Sequence, residues 1–277
     1  MVTNMNKLVY LSLAVFIMGC NFDSEVNNIS RVFSYDANAD SCLISSPPGK
    51  LGLDPFYRKY CSLYGVPVVS SSSVSDEALA QAWHIANQMI GNHHEYLMSI
   101  AEKGIVIAII GKNENVTDIP EYSDLDPNYW NARARGLGAT EERPAVSGAE
   151  ENILCLTNDR YHGENIFVHE FSHTVHEFGI VENVKSFQSE LESLYRDAYN
   201  NLRSNSGFEA GKYPEQAYAM ENSKEYWAEG VQSYYDVESA YPVTPQELNL
   251  VDPRLYQLIE GHLNENYIAN ITLCPLP

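Results

Sequence analysis

The clearest pattern along the chain is the unbroken apolar run Ile105-Val106-Ile107-Ala108-Ile109-Ile110, closed by Gly111. Six such residues without alternation predict a strand buried on both faces. Ahead of it, Leu79, Trp83, Ala86 and Ile90 recur at helical spacing. Ser75 precedes them as an N-cap with Asp76 and Glu77 in the first turn, so a helix is predicted that stops by Gly104. Residues 63–69 read as a short strand, with the serines at 70–73 as the following loop.

The stretch from Lys112 to Glu151 holds Pro120, Pro127, Gly136, Gly138 and Pro144 without a steady period, and reads as a long ordered loop region. Asn152-Ile153-Leu154-Cys155-Leu156 is a short apolar segment expected to be a strand, placed to be an edge for an extended substrate. Gly163 to Asn165 then leads into a helix beginning near Ile166. Near the end, Thr244-Pro245-Gln246-Glu247 has the form of a capping box with proline at N1, and Asp252-Pro253 opens another helix through Leu263.

The first twenty residues stand apart. Lys7 is followed by an apolar run from Leu8 to Gly19, too short to span a membrane comfortably and typical of a signal peptide. It ends in Ile17-Met18-Gly19-Cys20, which resembles the bacterial lipobox. The expectation is a lipoprotein signal peptide over 1–19, lipid on Cys20, a polar tether over 20–41, and a single catalytic domain over 42–277. The implied location is outside the cytoplasm, on the outer membrane or cell surface, with the N-terminal lipid as the sole membrane contact.

If lipid consumes Cys20, then Cys42, Cys61, Cys155 and Cys274 remain, an even number in an exported chain. Loop closure favours Cys42 with Cys61, and elimination then leaves Cys155 with Cys274. With 17 Lys+Arg against 37 Asp+Glu the formal charge is -20, which argues against nucleic acid as a partner.

The candidate chemistry lies in His169-Glu170-Phe171-Ser172-His173, of the form H-E-x-x-H. On a helix, histidines four apart share a face and can present both imidazoles to one cation, while the adjacent glutamate reaches the open coordination position as a general base. A catalytic zinc takes three protein ligands. His176 and Gly179 occupy the positions where a metzincin would have glycine and histidine, so the third ligand is sought elsewhere, and His176 is expected to be solvated or to support a ligand. Downstream, Glu225 and Glu229 stand at i and i+4 beside Tyr226 and Trp227, on a helix that Ser223 can cap. One carboxylate can bind metal while the other accepts the far N–H of a bound histidine.

Together the two segments resemble the anthrax-lethal-factor-like zinc metallopeptidases, of the gluzincin type, in which H-E-F-x-H is followed by E-F-F-A-E. Here the second motif is Glu225-Tyr226-Trp227-Ala228-Glu229. The resemblance implies Glu225 as third ligand beside His169 and His173, Glu229 supporting a ligand histidine, and Tyr218, seven residues before Glu225, stabilising the oxyanion. It further implies one zinc ion per chain, a protein or peptide substrate, endopeptidase rather than exopeptidase action, and an α+β, zincin-like fold. In such a fold a mixed sheet packs on the motif helix and the C-terminal part is mainly helical. Two other readings stay open: a catalytically silent zinc-binding surface or adhesion module on a peptidase fold, and a metal-dependent hydrolase of a non-peptide substrate.

Overall fold

The computed structural model describes residues 41–265. The expected signal peptide, Cys20 and nearly all of the tether lie outside the described residues, as does Cys274. The sheet opens on a hairpin, β1 (Lys59–Leu63) and β2 (Val66–Ser70), paired antiparallel with Leu63 opposite Val66. The strand expected over 63–69 is therefore cut in two. Tyr64 and Gly65 both have positive φ, 47° and 102°, which is what a two-residue turn matching strand twist requires.

Two helices follow, α1 (Asp76–Ile90) and α2 (His94–Glu102). Ser75 caps α1 by accepting the N–H of Ala78, as its sequence position suggested. The single helix expected up to Gly104 is broken at Gly91, where a Cβ would come within 2.4 Å of the Asn87 side-chain oxygen. The apolar run then forms β3 (Val106–Ile110), every residue buried, with parallel partners on both sides.

The region read as loop contains α3 (Pro127–Arg133), β4 (Gly136–Leu137) and β5 (Ala145–Ala149). Small residues hid β5: Ala-Val-Ser-Gly-Ala carries little strand signal, yet all five are buried because β5 lies between β3 and β4. Strand order is β1-β2-β3-β5-β4, antiparallel at both margins and parallel within, so the chain is α+β with a mixed five-stranded sheet among the described residues.

The strand expected over 152–156 is not there. Glu150–Ile153 forms a helical turn, α4, and the edge of the sheet near the motif is β4 instead. Polar side chains explain the change. Glu150 accepts N–H groups from Ser75 and Lys112, Glu151 pairs with Arg135 at 2.5 Å, and Asn152 accepts the N–H of Ile166 at 2.8 Å. These groups satisfy the donors around the end of the parallel strands and hold the entry to the motif helix.

That helix, α5 (Ile166–Thr174), continues through a wider turn (Val175–Ile180) into α6 (Val181–Asn183). It lies close under the sheet, since a Cβ on Gly148 would fall 2.6 Å from the Cβ of Phe167. Next come α7 (Phe187–Asp197), α8 (Ser223–Tyr234), α9 (Pro245–Val251) and α10 (Pro253–His262), so the C-terminal part is mainly helical. Thr244 and Glu247 form the expected capping box, and Asp252 caps α10 by accepting the N–H of Leu255. The cap of α8 is Asn222, one residue before the expected Ser223; it accepts N–H groups from both Lys224 and Glu225.

Candidate metal centre

Helix α5 is built to turn one face inward and offer another to a cleft. Phe167, Val168 and Phe171 are fully buried, and the rings of Phe167 and Phe171 stack at 5.6 Å between centroids. Asn165 accepts the N–H of Val168 and fixes the start of the helix. His169 and His173 then emerge one turn apart on the remaining face. Helix α8 is locked against α5 by the indole N–H of Trp227, which donates to the carbonyl of Ser172 at 3.1 Å. The lock sets Glu225 opposite the two histidines.

His169 Nε2 and His173 Nε2 are 3.1 Å apart, and Glu225 Oε2 is 3.1 Å from the first and 3.2 Å from the second. Three donor atoms thus form a nearly equilateral triangle. A tetrahedral zinc ion with ligands at about 2.0–2.1 Å needs donors roughly 3.3–3.4 Å apart, so two imidazole nitrogens and one carboxylate oxygen at this spacing fit such an ion. Among the described residues, His169, His173 and Glu225 are the group of three able to hold a metal.

The tautomer of His169 supports the same conclusion. Its Nδ1 lies 2.7 Å from Gln232 Oε1 and 3.3 Å from Glu229 Oε1, both acceptors, so Nδ1 carries the proton. The amide of Gln232 is oriented by its own N–H group, which donates to the carbonyl of Asn165. In the neutral ring, Nε2 therefore points a lone pair at the oxygen of Glu225, an arrangement that needs a cation or a proton between them. Burial opposes a charge on His169, but hydrogen bonds to Glu225 and Glu229 and the charge of Glu170 hold its pKa well above the usual histidine value. Burial also works against ionised Glu225, yet the two imidazoles bring its carboxyl down to about 2.

Glu170 and Tyr218 share a cleft of about 340 Å³ with His169, bordered by β4 and by Trp130, Tyr161 and Ile166. Tyr218 sits on a short 3-10 turn, half exposed, its ring 6.2 Å from that of His169. Burial and then the charge of Glu225 push its hydroxyl up to about 12, so it keeps its proton at neutral pH and can donate. Close approach of β4 to the motif is possible because a Cβ on Gly136 would meet Ile166, the Ser147 carbonyl and Glu170 within 3.2 Å. Arg135, just before it, is anchored to Glu151 and to the carbonyls of Glu114 and Gly111.

The structure therefore brings together His169, Glu170, His173, Tyr218, Glu225 and Glu229. His176 stands apart, and it is not solvated: it is buried against Phe187 and Trp227, with Nε2 on Gln188 Oε1 at 2.8 Å. Gln232 went unnoticed in the sequence, although it lies seven residues past Glu225 and three past Glu229, on the face already singled out. Of the expected disulfides, Cys42–Cys61 is present. Cys155 is also disulfide-bonded, and its expected partner lies outside the described residues.

Residues 74–262, more than half of the chain and inclusive of both motifs, match the family model described as anthrax toxin lethal factor, N- and C-terminal domain. No curated protein matches the chain.

Proposed function

The chain belongs to the anthrax toxin lethal factor family, and from that premise we propose that it is a zinc-dependent endopeptidase on a zincin-like scaffold. The observation that carries this reading is the triangle of His169 Nε2, His173 Nε2 and Glu225 Oε2, with the carboxylate of Glu170 in the adjoining cleft. His169, His173 and Glu225 hold one zinc ion per chain. Bound there, zinc supplies Lewis acidity, lowering the pKa of a water and polarising the scissile carbonyl.

The protein's own groups do the rest. Glu170 accepts a proton from the attacking water and returns it to the leaving amine, so no net proton is consumed at the carboxylate. Tyr218 donates its hydroxyl proton in a hydrogen bond to the oxygen that gains charge. Glu229 and Gln232 hold the Nδ1–H of His169, which keeps its other nitrogen free for metal. The outer edge of β4 has no strand partner among the described residues and borders the cleft, so an extended peptide pairs there by main-chain hydrogen bonds.

The test is Glu170→Gln beside His169→Ala. The first is expected to keep about one zinc per chain and lose peptide-library cleavage by on the order of 10²–10⁴-fold; the second loses the metal. Zinc bound tightly by a wild type that cleaves no peptide would instead favour a silent binding module. We also read the N-terminus as a lipoprotein signal with lipid on Cys20, which radiolabelled fatty acid would mark and Cys20→Ser would abolish.

A further inference from the structure

Next to Glu229 of α8, two buried polar atoms find no protein partner. They are Oε2 of Glu238, in a residue 3% exposed, and the hydroxyl of Tyr213, in a residue 2% exposed. Both residues line one small cavity of about 10 Å³, and so does Glu229, the carboxylate that accepts the Nδ1–H of His169. That volume has room for about one water molecule. The other oxygen of Glu238 already accepts the N–H groups of Ser239 and Ala240, each at 2.7 Å, which fixes the side chain and leaves Oε2 facing inward.

Two carboxylates thus border one small cavity, and no lysine, arginine or histidine lines it. Two negative charges in such a setting are costly, whereas one proton shared between them removes the conflict and supplies the missing donor. Glu229 has a reason to stay ionised, because His169 donates to it. Glu238 has none.

We propose that Glu238 stands in the folded protein as a neutral carboxylic acid whose proton is directed through this cavity toward Glu229, making it a positioning residue for His169. The role rests on the zinc-site reading given above. It adds a third layer to the centre: Glu238 steadies Glu229, Glu229 steadies the imidazole, and the imidazole meets the metal. The two carboxylates near Glu238 act in one direction, and the N–H groups of Ser239 and Ala240 work against them. Burial first, then the charges of Glu229 on α8 and of Glu164 ahead of α5, push its carboxyl up to about 8, while burial keeps the hydroxyl of the neighbouring Tyr213 protonated.

The experiment uses the full chain, two variants and three readouts. Infrared difference spectra of wild type minus Glu238→Gln are expected to show one protonated carboxyl at pH 6 that disappears as the pH passes about 8. The urea midpoint of wild type relative to Glu238→Gln is expected to fall between about pH 4.5 and 8. An unfolded glutamate ionises in its ordinary range near 4.5 while the folded one keeps its proton to about 8, so this stability is complete below the first value and lost on rising through the second.

Zinc affinity, read by competition with a chelator, is expected to be kept in Glu238→Gln, which still donates, and to weaken about tenfold in Glu238→Met, which cannot. Absence of the protonated carboxyl overturns the proposal, as does an equal loss of zinc affinity in both variants. Should Glu238→Met fail to fold, the infrared and urea arms decide. Should the wild type bind no zinc, the peptidase reading fails by itself and the infrared arm still decides the state of Glu238.

Discussion

The Nδ1–H of His169 donates to Oε1 of Gln232 at 2.7 Å, closer than it stands to Glu229 at 3.3 Å. A neutral amide, not the second carboxylate of the motif, is thus the nearer support of this imidazole. Gln232→Ala is expected to weaken zinc binding about tenfold while leaving the fold intact. Chelator competition checks this, and an unchanged affinity would show that Glu229 suffices.

Acidity at His169 sets the proton balance of metal binding. Its carboxylate neighbours hold the imidazole well above the usual histidine value, so zinc binding is expected to displace a proton from the metal-free ring. About one proton should be released per zinc bound. Calorimetry at pH 7 in buffers of differing ionisation heat measures it; an apparent enthalpy independent of buffer would contradict the assignment.

His176 should make the fold sensitive to acid. Burial brings its pKa down to about 4, and its Nδ1 has no donor to face. A group depressed in the folded state contributes stability above its unfolded value, near 6.5, and loses it as the pH falls toward 4. The contribution is on the order of 3 kcal/mol. Urea midpoints between pH 7 and 4 should drop less steeply in His176→Gln than in the wild type.

Gly148→Ala should cost about 1–3 kcal/mol by overpacking. The added methyl would fall 2.6 Å from Phe167 Cβ, and β5 cannot retreat while β3 and β4 hold it on both sides. A wild-type thermal midpoint in this variant would mean that α5 shifts freely under the sheet.

Tyr218→Phe tests the oxyanion role. If the hydroxyl acts mainly in the transition state, kcat should fall by about 10²-fold with little change in KM. A change in KM alone would place the tyrosine in ground-state binding.

Much of this centre was legible in the chain because its parts are local. His169, Glu170 and His173 sit within one helical turn and a half, and Glu225 with Glu229 within another, so spacing alone arranged each set. Joining the sets depended on Trp227 reaching the Ser172 carbonyl, a contact between helices that periodicity does not encode. The sheet was harder. β3 announces itself by lying in a run of six apolar residues, whereas β5 is recognisable only from its two neighbours, and the segment after it reads as a strand because Ile153, Leu154 and Leu156 are apolar. Their helical turn is set by Glu150, Glu151 and Asn152, whose partners lie far off in sequence. Glu238 carries no motif, and only its enclosure reveals it.

The brevity of β4 has a consequence for life at high protein concentration. Two residues without a strand partner among the described residues are too few for another copy of the chain to extend the sheet. The opposite margin is guarded as well, with Ser45 bridged to Tyr60 and Cys42 bonded to Cys61 across β1. Neither described margin of the sheet therefore offers a long open edge on which edge-to-edge aggregation could grow.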